Sequence, residues 1–229
     1  MHIAIVSVSA DPAITFPLLQ RIADALDVQQ NAHYAPFWQS CGVAVRAYAS
    51  LTDIPVDASP IIVQDEPDRT GTLAWHASTD EGLPFGRVFW DPIRRHGGSL
   101  IDGPMSLSST LSHEVLEAVG NPYVNFWADM PGGLQEAVEL CDRVEADAYP
   151  IDGVSMSNFL GPRAFRNGPG PYDWMRLLED PWELRPGGYC IRRGPGTPAF
   201  EVWGRGFPEW KRQLKSVEGS RMQRRHTVL

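Results

Sequence analysis

The sequence is short of cysteine, of lysine and of long apolar runs. Its three cysteines, Cys41, Cys141 and Cys190, stand far apart. An odd number at wide spacing is not a disulfide framework, and a reducing compartment is the simplest setting for it. No Cys-x-x-Cys pair occurs, which excludes a zinc knuckle built on thiolates. No stretch reaches the roughly 18 consecutive apolar residues of a membrane span, so no membrane association is expected. The start, Met1-His2-Ile3-Ala4-Ile5-Val6, has neither the basic region nor the long apolar run of a secretory signal, and a cytoplasmic location is expected. Net positive charge is lacking too: the formal charge is −8, which argues against nucleic acid as a general partner. There is no internal repeat and no Gly-rich phosphate loop. Of the basic residues only Lys211 and Lys215 are lysines, a bias that reads as genome composition.

What is present is an ordinary globular composition, with 43% hydrophobic and 21% charged residues, on a chain of 229 residues. That length fits one large domain, alone or with a small irregular appendage. The apolar run at residues 3–8 reads as a buried strand. Leu18, Leu19, Ile22 and Leu26 recur at helical spacing, predicting a helix that starts at Phe16 and continues past Val28 toward Trp38. Strands are expected at 42–45, 60–63, 70–77 (an edge strand) and 86–90, followed by loop to Pro104. The strongest helix runs from Leu107 to Val119 and is stopped by Gly120-Asn121-Pro122. The first 120 residues thus read β-α-β-β-β-β-α. A further short helix is expected at 134–140. Asp152-Gly153 between two apolar flanks signals a hairpin. From Pro162 to Pro208 glycine and proline are dense, which predicts loops and hairpins anchored by Trp174, Trp182, Trp203 and Trp210.

The chemistry concentrates in Ser112-His113-Glu114-Val115-Leu116-Glu117. On a helix, His113 and Glu117 lie one turn apart on one face, so an imidazole and a carboxylate can chelate one metal ion. Glu114 stands beside them and could hold a metal-bound water. The same spacing also fits a plain amphipathic helix, with Leu111, Val115, Leu116, Ala118 and Val119 inside and His113, Glu114 and Glu117 on a solvated face. Ser112 has no triad partners around it, so a serine hydrolase is rejected. His76 reads as a surface histidine that could also approach a metal. Tyr149 and Tyr123 read as buried tyrosines with satisfied hydroxyls that could also serve as oxyanion donors, and Cys141 reads as a buried free thiol. Arg221, Arg224 and Arg225 read as a solvated end.

This layout resembles the His-Glu-x-x-His helix of the zincin metallopeptidases, in which two helix residues bind zinc and the Glu is the general base. Here Glu117 replaces the second histidine. The element order over roughly residues 1–120 resembles the N-terminal half of that family. The resemblance implies an α+β fold, with a zincin-like mixed sheet and an active-site helix over 1–160, and an irregular Gly/Pro/Trp-rich part over 161–229 packed on it. It implies zinc held by His113 and Glu117, with Glu114 catalytic. It also implies that a peptide or protein substrate pairs with the antiparallel edge strand at 71–76, which brings in Trp75 and His76 as substrate-binding residues. In the thermolysin-like branch a third ligand, Glu, sits on a helix about 20 residues downstream, with an orienting Asp four residues later. Glu139 follows Glu117 by 22 residues and Asp142 follows Glu139 by three, one short of that spacing, so both remain candidates for the third ligand.

The chain is also similar to uncharacterised proteins of phages and actinobacterial genomes. The similarity rests on 112–117, Glu139 to Asp142, 151–159 and the Arg-rich end, and it implies virion or particle proteins as partners and a virion-associated location. A second expectation follows from it: a non-catalytic structural or binding protein on the same scaffold. Zinc on two carboxylates and one histidine is less electrophilic than on two histidines, and a harder ion could compete for the site.

Overall fold

A computed structural model describes residues 2–68 and 72–215. The protein is mixed α/β. Strands β1 (His2–Ser7), β2 (Ala44–Ala47), β3 (Ala58–Gln64), β4 (Ala74–Ser78) and β5 (Pro84–Phe89) form one sheet in the order β2-β1-β3-β5-β4. The first four in that order are parallel, and β4 runs antiparallel to β5 along the edge. Ile3, Ala4, Ile5 and Val6 are wholly buried, as a continuous apolar run in a central strand requires.

Helix α1 (Phe16–Val28) begins at Thr15, whose hydroxyl accepts from the Leu18 amide at 3.3 Å. It buries Leu19, Ile22 and Leu26 against the sheet. The helical path widens into a π turn at Gln29–Tyr34 and closes with α2 (Ala35–Trp38), so the helix does continue toward Trp38. The wide turn turns Gln29 inward: Gln29 is fully buried, donates to Ser157 O at 3.0 Å, and accepts from Ser112 Oγ at 2.7 Å.

A short helix α3 (Trp90–Arg95) occupies sequence expected to be loop. Helix α4 (Leu107–Gly120) follows, capped by Ser106, whose Oγ accepts from Ser109 N at 3.1 Å. It ends at Asn121. The helix packs across β4 and β5 with Leu107, Leu111, Val115 and Ala118 in the main core.

Beyond α4, strands β6 (Trp127–Asp129), β7 (Gln135–Ala137), β10 (Tyr189–Arg193) and β11 (Phe200–Trp203) make an antiparallel sheet ordered β11-β10-β7-β6. Between them β8 (Ala148–Ile151) and β9 (Val154–Ser157) form a hairpin, and α5 (Glu209–Lys215) closes the described chain. The hairpin turns at Asp152 and Gly153, with φ of 48° and 72°. Both residues are left-handed, as a two-residue turn between twisted strands demands.

The helix expected at 134–140 is not formed. Pro131-Gly132-Gly133 immediately precedes it, with left-handed φ of 81° and 78° at the two glycines, which prevents a helical first turn there. The segment pairs as β7 instead, and Glu136 meets Arg192 directly across the ladder. Because β10 pairs with β7, chain beyond residue 160 supplies strands to a sheet begun before it. Among the described residues no helix is long and apolar enough to cross a membrane.

Candidate metal centre

Helix α4 carries His113, Glu114 and Glu117 against the sheet, not into solvent. Glu114 is 5% exposed and Glu117 4%, so the solvated-face alternative does not describe this helix. Two carboxylates sit inward because the neighbouring elements bring groups to meet them.

From β4 comes His76. Strand alternation sends Trp75 and Ala77 to one face and His76 to the other. Trp75 and Ala77 pack with Phe85 and Phe89, and the Trp75 indole donates to Asp68 at 3.0 Å. Trp75 therefore lies in an aromatic cluster on the sheet face away from α4, while His76 is fully buried facing α4. The surface reading of His76 is overturned: its Nδ1 stands 3.4 Å from Glu114 Oε2 and 3.5 Å from Glu117 Oε2.

From the turn after β7 come Glu139, Cys141 and Asp142, brought under α4 where Leu140 packs on Gly120 and Leu116. The Cys141 amide donates to Glu117 Oε1 at 3.2 Å, fixing that carboxylate. His113 Nε2 lies 3.2 Å from Glu117 Oε1 and 3.3 Å from Asp142 Oδ1. Glu139 brings an oxygen into a second cluster with His76 and Glu117, whose ligand atoms lie within 4.8 Å of one another. The same holds for His113, Glu117 and the Cys141 thiol. Both sequence candidates for a third ligand thus reach Glu117 or His113, on opposite sides.

Electrostatics follow from burial. Removal from water, with Asp142 and Glu139 nearby, pushes Glu117 up to about 7 against the lowering pull of His113. Burial by itself would lower both histidines. For His113 the carboxylates of Glu117 and Asp142 outweigh it and hold the imidazole well above its ordinary value. For His76 the facing Glu114, Glu139 and Glu117 do the same. Burial keeps the Cys141 thiol protonated.

The cleft over this cluster encloses about 70 Å³ and is lined by residues 72–74, Met105, Tyr189 and Lys211 besides the acidic groups. At about 10–15 Å³ per water, that is room for a few ions or waters. Tyr189, on β10, was invisible to sequence reasoning. Its hydroxyl is held neutral by burial and by Asp142, Glu145 and Glu117. Lys211 Nζ pairs with Glu145 Oε1 at 2.9 Å on the rim. Of the tyrosines singled out from sequence, Tyr149 is engaged elsewhere, by Gln29 Nε2 at 3.1 Å and His33 Nδ1 at 3.0 Å, and Tyr123 is exposed. Residues 221–225 lie outside the described residues.

Comparison with protein-family models, with curated proteins and with solved structures gives no match.

The fit to a metal can be tested by distance. Two donors bound tetrahedrally at about 2.0–2.1 Å are separated by about 3.3 Å. The His113–Glu117 and His113–Asp142 separations of 3.2 and 3.3 Å match that edge. The donors are the His113 imidazole, the Glu117 carboxylate and, on the far side of His113, the Asp142 carboxylate, with the Cys141 thiol within 4.8 Å of the first two; all are groups that divalent zinc accepts.

Proposed function

We propose that this protein is a zincin-like, metal-dependent peptidase. The observation that carries the reading is His113 Nε2 standing between Glu117 Oε1 and Asp142 Oδ1 at tetrahedral-edge distances, inside a buried cleft on an active-site helix. The antiparallel edge strand β4 beside that helix adds support.

His113, Glu117 and Asp142 would hold the zinc, which would supply Lewis acidity and lower the pKa of water at the site. The chain's own residues do the rest. Glu114, next to His113 and lining the same cleft, accepts the proton of the attacking water and passes it to the leaving amine. Tyr189, kept as a neutral phenol by its burial, hydrogen-bonds Asp142 and so positions that carboxylate in the cleft. The peptide lies extended along Ala74, where β4 begins, and the two residues before it, which line the cleft. Glu139 stays with His76 and Glu117.

The test is elemental analysis of purified wild type and His113→Ala, followed by a peptide-cleavage screen with Glu114→Gln as control. The reading expects bound zinc lost in His113→Ala. It also expects cleavage reduced about 10²–10⁴-fold in Glu114→Gln with the metal retained. Wild type that takes up no metal from excess zinc overturns it.

One observation favours a second reading, a structural or binding protein of a phage-like particle. The cluster ties α4, β4 and the 139–142 turn together at one buried point, as a metal that only staples the fold would. Metal loss that unfolds the protein, combined with a wild type that cleaves nothing, selects that reading.

A further inference from the structure

Glu117 has two oxygens, and each faces a different histidine. Oε1 is 3.2 Å from His113 Nε2; Oε2 is 3.5 Å from His76 Nδ1. The His76 side is not explained by a single ion on His113. His76 is fully buried, yet among the described residues neither of its ring nitrogens makes a hydrogen bond. Glu114 Oε2, 3.4 Å from its Nδ1, has none either. A buried imidazole needs its donor and acceptor nitrogens satisfied. The separations of 3.4 and 3.5 Å match those of two donors sharing a cation.

The layout points the same way. Glu114, Glu117, Glu139, Asp142 and Glu145 line one cleft, and Lys211 answers Glu145. Two imidazoles, His113 and His76, face the other carboxylates from opposite sides of Glu117.

Resting on the metal reading above, we propose that the cleft holds two divalent cations bridged by Glu117. The first sits on His113 and Asp142, the second on His76 and Glu139 with Glu114 beside it. A carboxylate bridging two ions holds them about 3.5–4 Å apart, the spacing of two-metal hydrolytic sites. One imidazole and several oxygens for each ion suit zinc, manganese or ferrous iron.

The experiment is calorimetric titration of the chelator-stripped full-length chain with Zn²⁺, with elemental analysis after desalting. A parallel Mn²⁺ titration is followed by electron paramagnetic resonance. Wild type is expected to bind two equivalents and to show the exchange-coupled signal of paired Mn²⁺. His76→Ala and Glu139→Gln should each bind one equivalent and lose the coupling. Glu139→Gln is nearly isosteric and keeps the result readable should His76→Ala misfold. One equivalent in wild type, lost in His113→Ala, overturns the second site and leaves the peptidase reading standing. No uptake by wild type overturns both. Two equivalents retained in both the His76 and Glu139 variants place the second ion elsewhere and overturn the assignment.

Discussion

Replacing Arg143 with methionine should unfold the region that carries Asp142. Arg143 is 1% exposed. Its Nε meets Glu136 Oε1 at 3.1 Å, and its two terminal nitrogens donate to Glu183 O at 3.1 Å and Ala164 O at 2.9 Å. The guanidinium also lies over the Phe165 ring, 5.1 Å from its centroid. One side chain therefore joins β7, the 162–165 turn and the loop before β10 to the residue next to Asp142. Hydrogen bonds to a charged group contribute about 1.5–3 kcal/mol each. The two to Glu183 O and Ala164 O give roughly 3–6 kcal/mol, to which the ion pair with Glu136 adds and against which the desolvation of the buried cation counts for several. Arg192, 2.9 Å from Glu136 Oε2, still partners that carboxylate in the variant. The net expectation is a loss of about 3–5 kcal/mol, the usual result of breaking a buried pair from one side. For a chain of this size that lowers Tm by about 6–20 °C. Urea unfolding followed by tryptophan fluorescence measures it directly, Trp182 lying 5.9 Å from the guanidinium. Adding Glu136→Gln to Arg143→Met should cost less than it does in wild type, because the two side chains share one interaction. A single variant within 1 kcal/mol of wild type, or additive effects in the double variant, would refute the reasoning.

Three further outcomes follow from the same geometry. Ser106→Ala removes the N-cap of α4, in which Oγ accepts from Ser109 N and donates to Gly103 O at 2.8 Å; a loss of about 1–2 kcal/mol is expected by urea unfolding, and no loss means the cap is dispensable. Gly188→Ala puts a Cβ 2.3 Å from Arg143 O and 2.9 Å from Asp142 O, so the backbone holding Asp142 must shift; a lower Tm together with weaker Zn²⁺ binding is expected, and unchanged binding refutes the link. In metal-free protein the raised Glu117 keeps its proton up to about pH 7, whereas unfolding returns it to an ordinary carboxylate near 4.5. The folded state thus binds the extra proton between those values, and this contribution to stability falls as pH rises across that window. Metal-free wild type should lose urea stability relative to Glu117→Gln between pH 5 and 7.5, and a constant difference refutes the assignment.

The fold was legible wherever local pattern decides. The run at 3–8, the helical spacing of Leu19, Ile22 and Leu26, and the Gly120-Asn121-Pro122 stop each act within a few residues, and each corresponds to an element within a residue or three of its expected ends. The two errors have local causes as well. Residues 134–140 carry residues suited to a helix, yet the preceding Gly132 and Gly133 adopt left-handed backbone, and a ladder partner in β10 was more than 50 residues away. Pro92 obscured α3, although proline is tolerated in the first turn of a helix.

The centre divides along the same line. His113, Glu114 and Glu117 are related by one helical turn, and periodicity alone brings them to one face. Glu139 and Asp142 could not be separated by counting, because a spacing rule borrowed from a helix does not apply to a turn. In the folded chain they need not be separated: Asp142 reaches His113 and Glu139 joins His76, with Glu117 between them. His76 was the residue most open to misreading. A histidine on an edge strand resembles a surface group until the strand's alternation is set against the neighbours: Trp75 and Ala77 require the aromatic face, so His76 must face α4. Once it faces α4 it is buried against two glutamates, and the centre can no longer be described by the helix motif alone. The sequence motif names one half of the cluster, and the sheet edge supplies the histidine of the other.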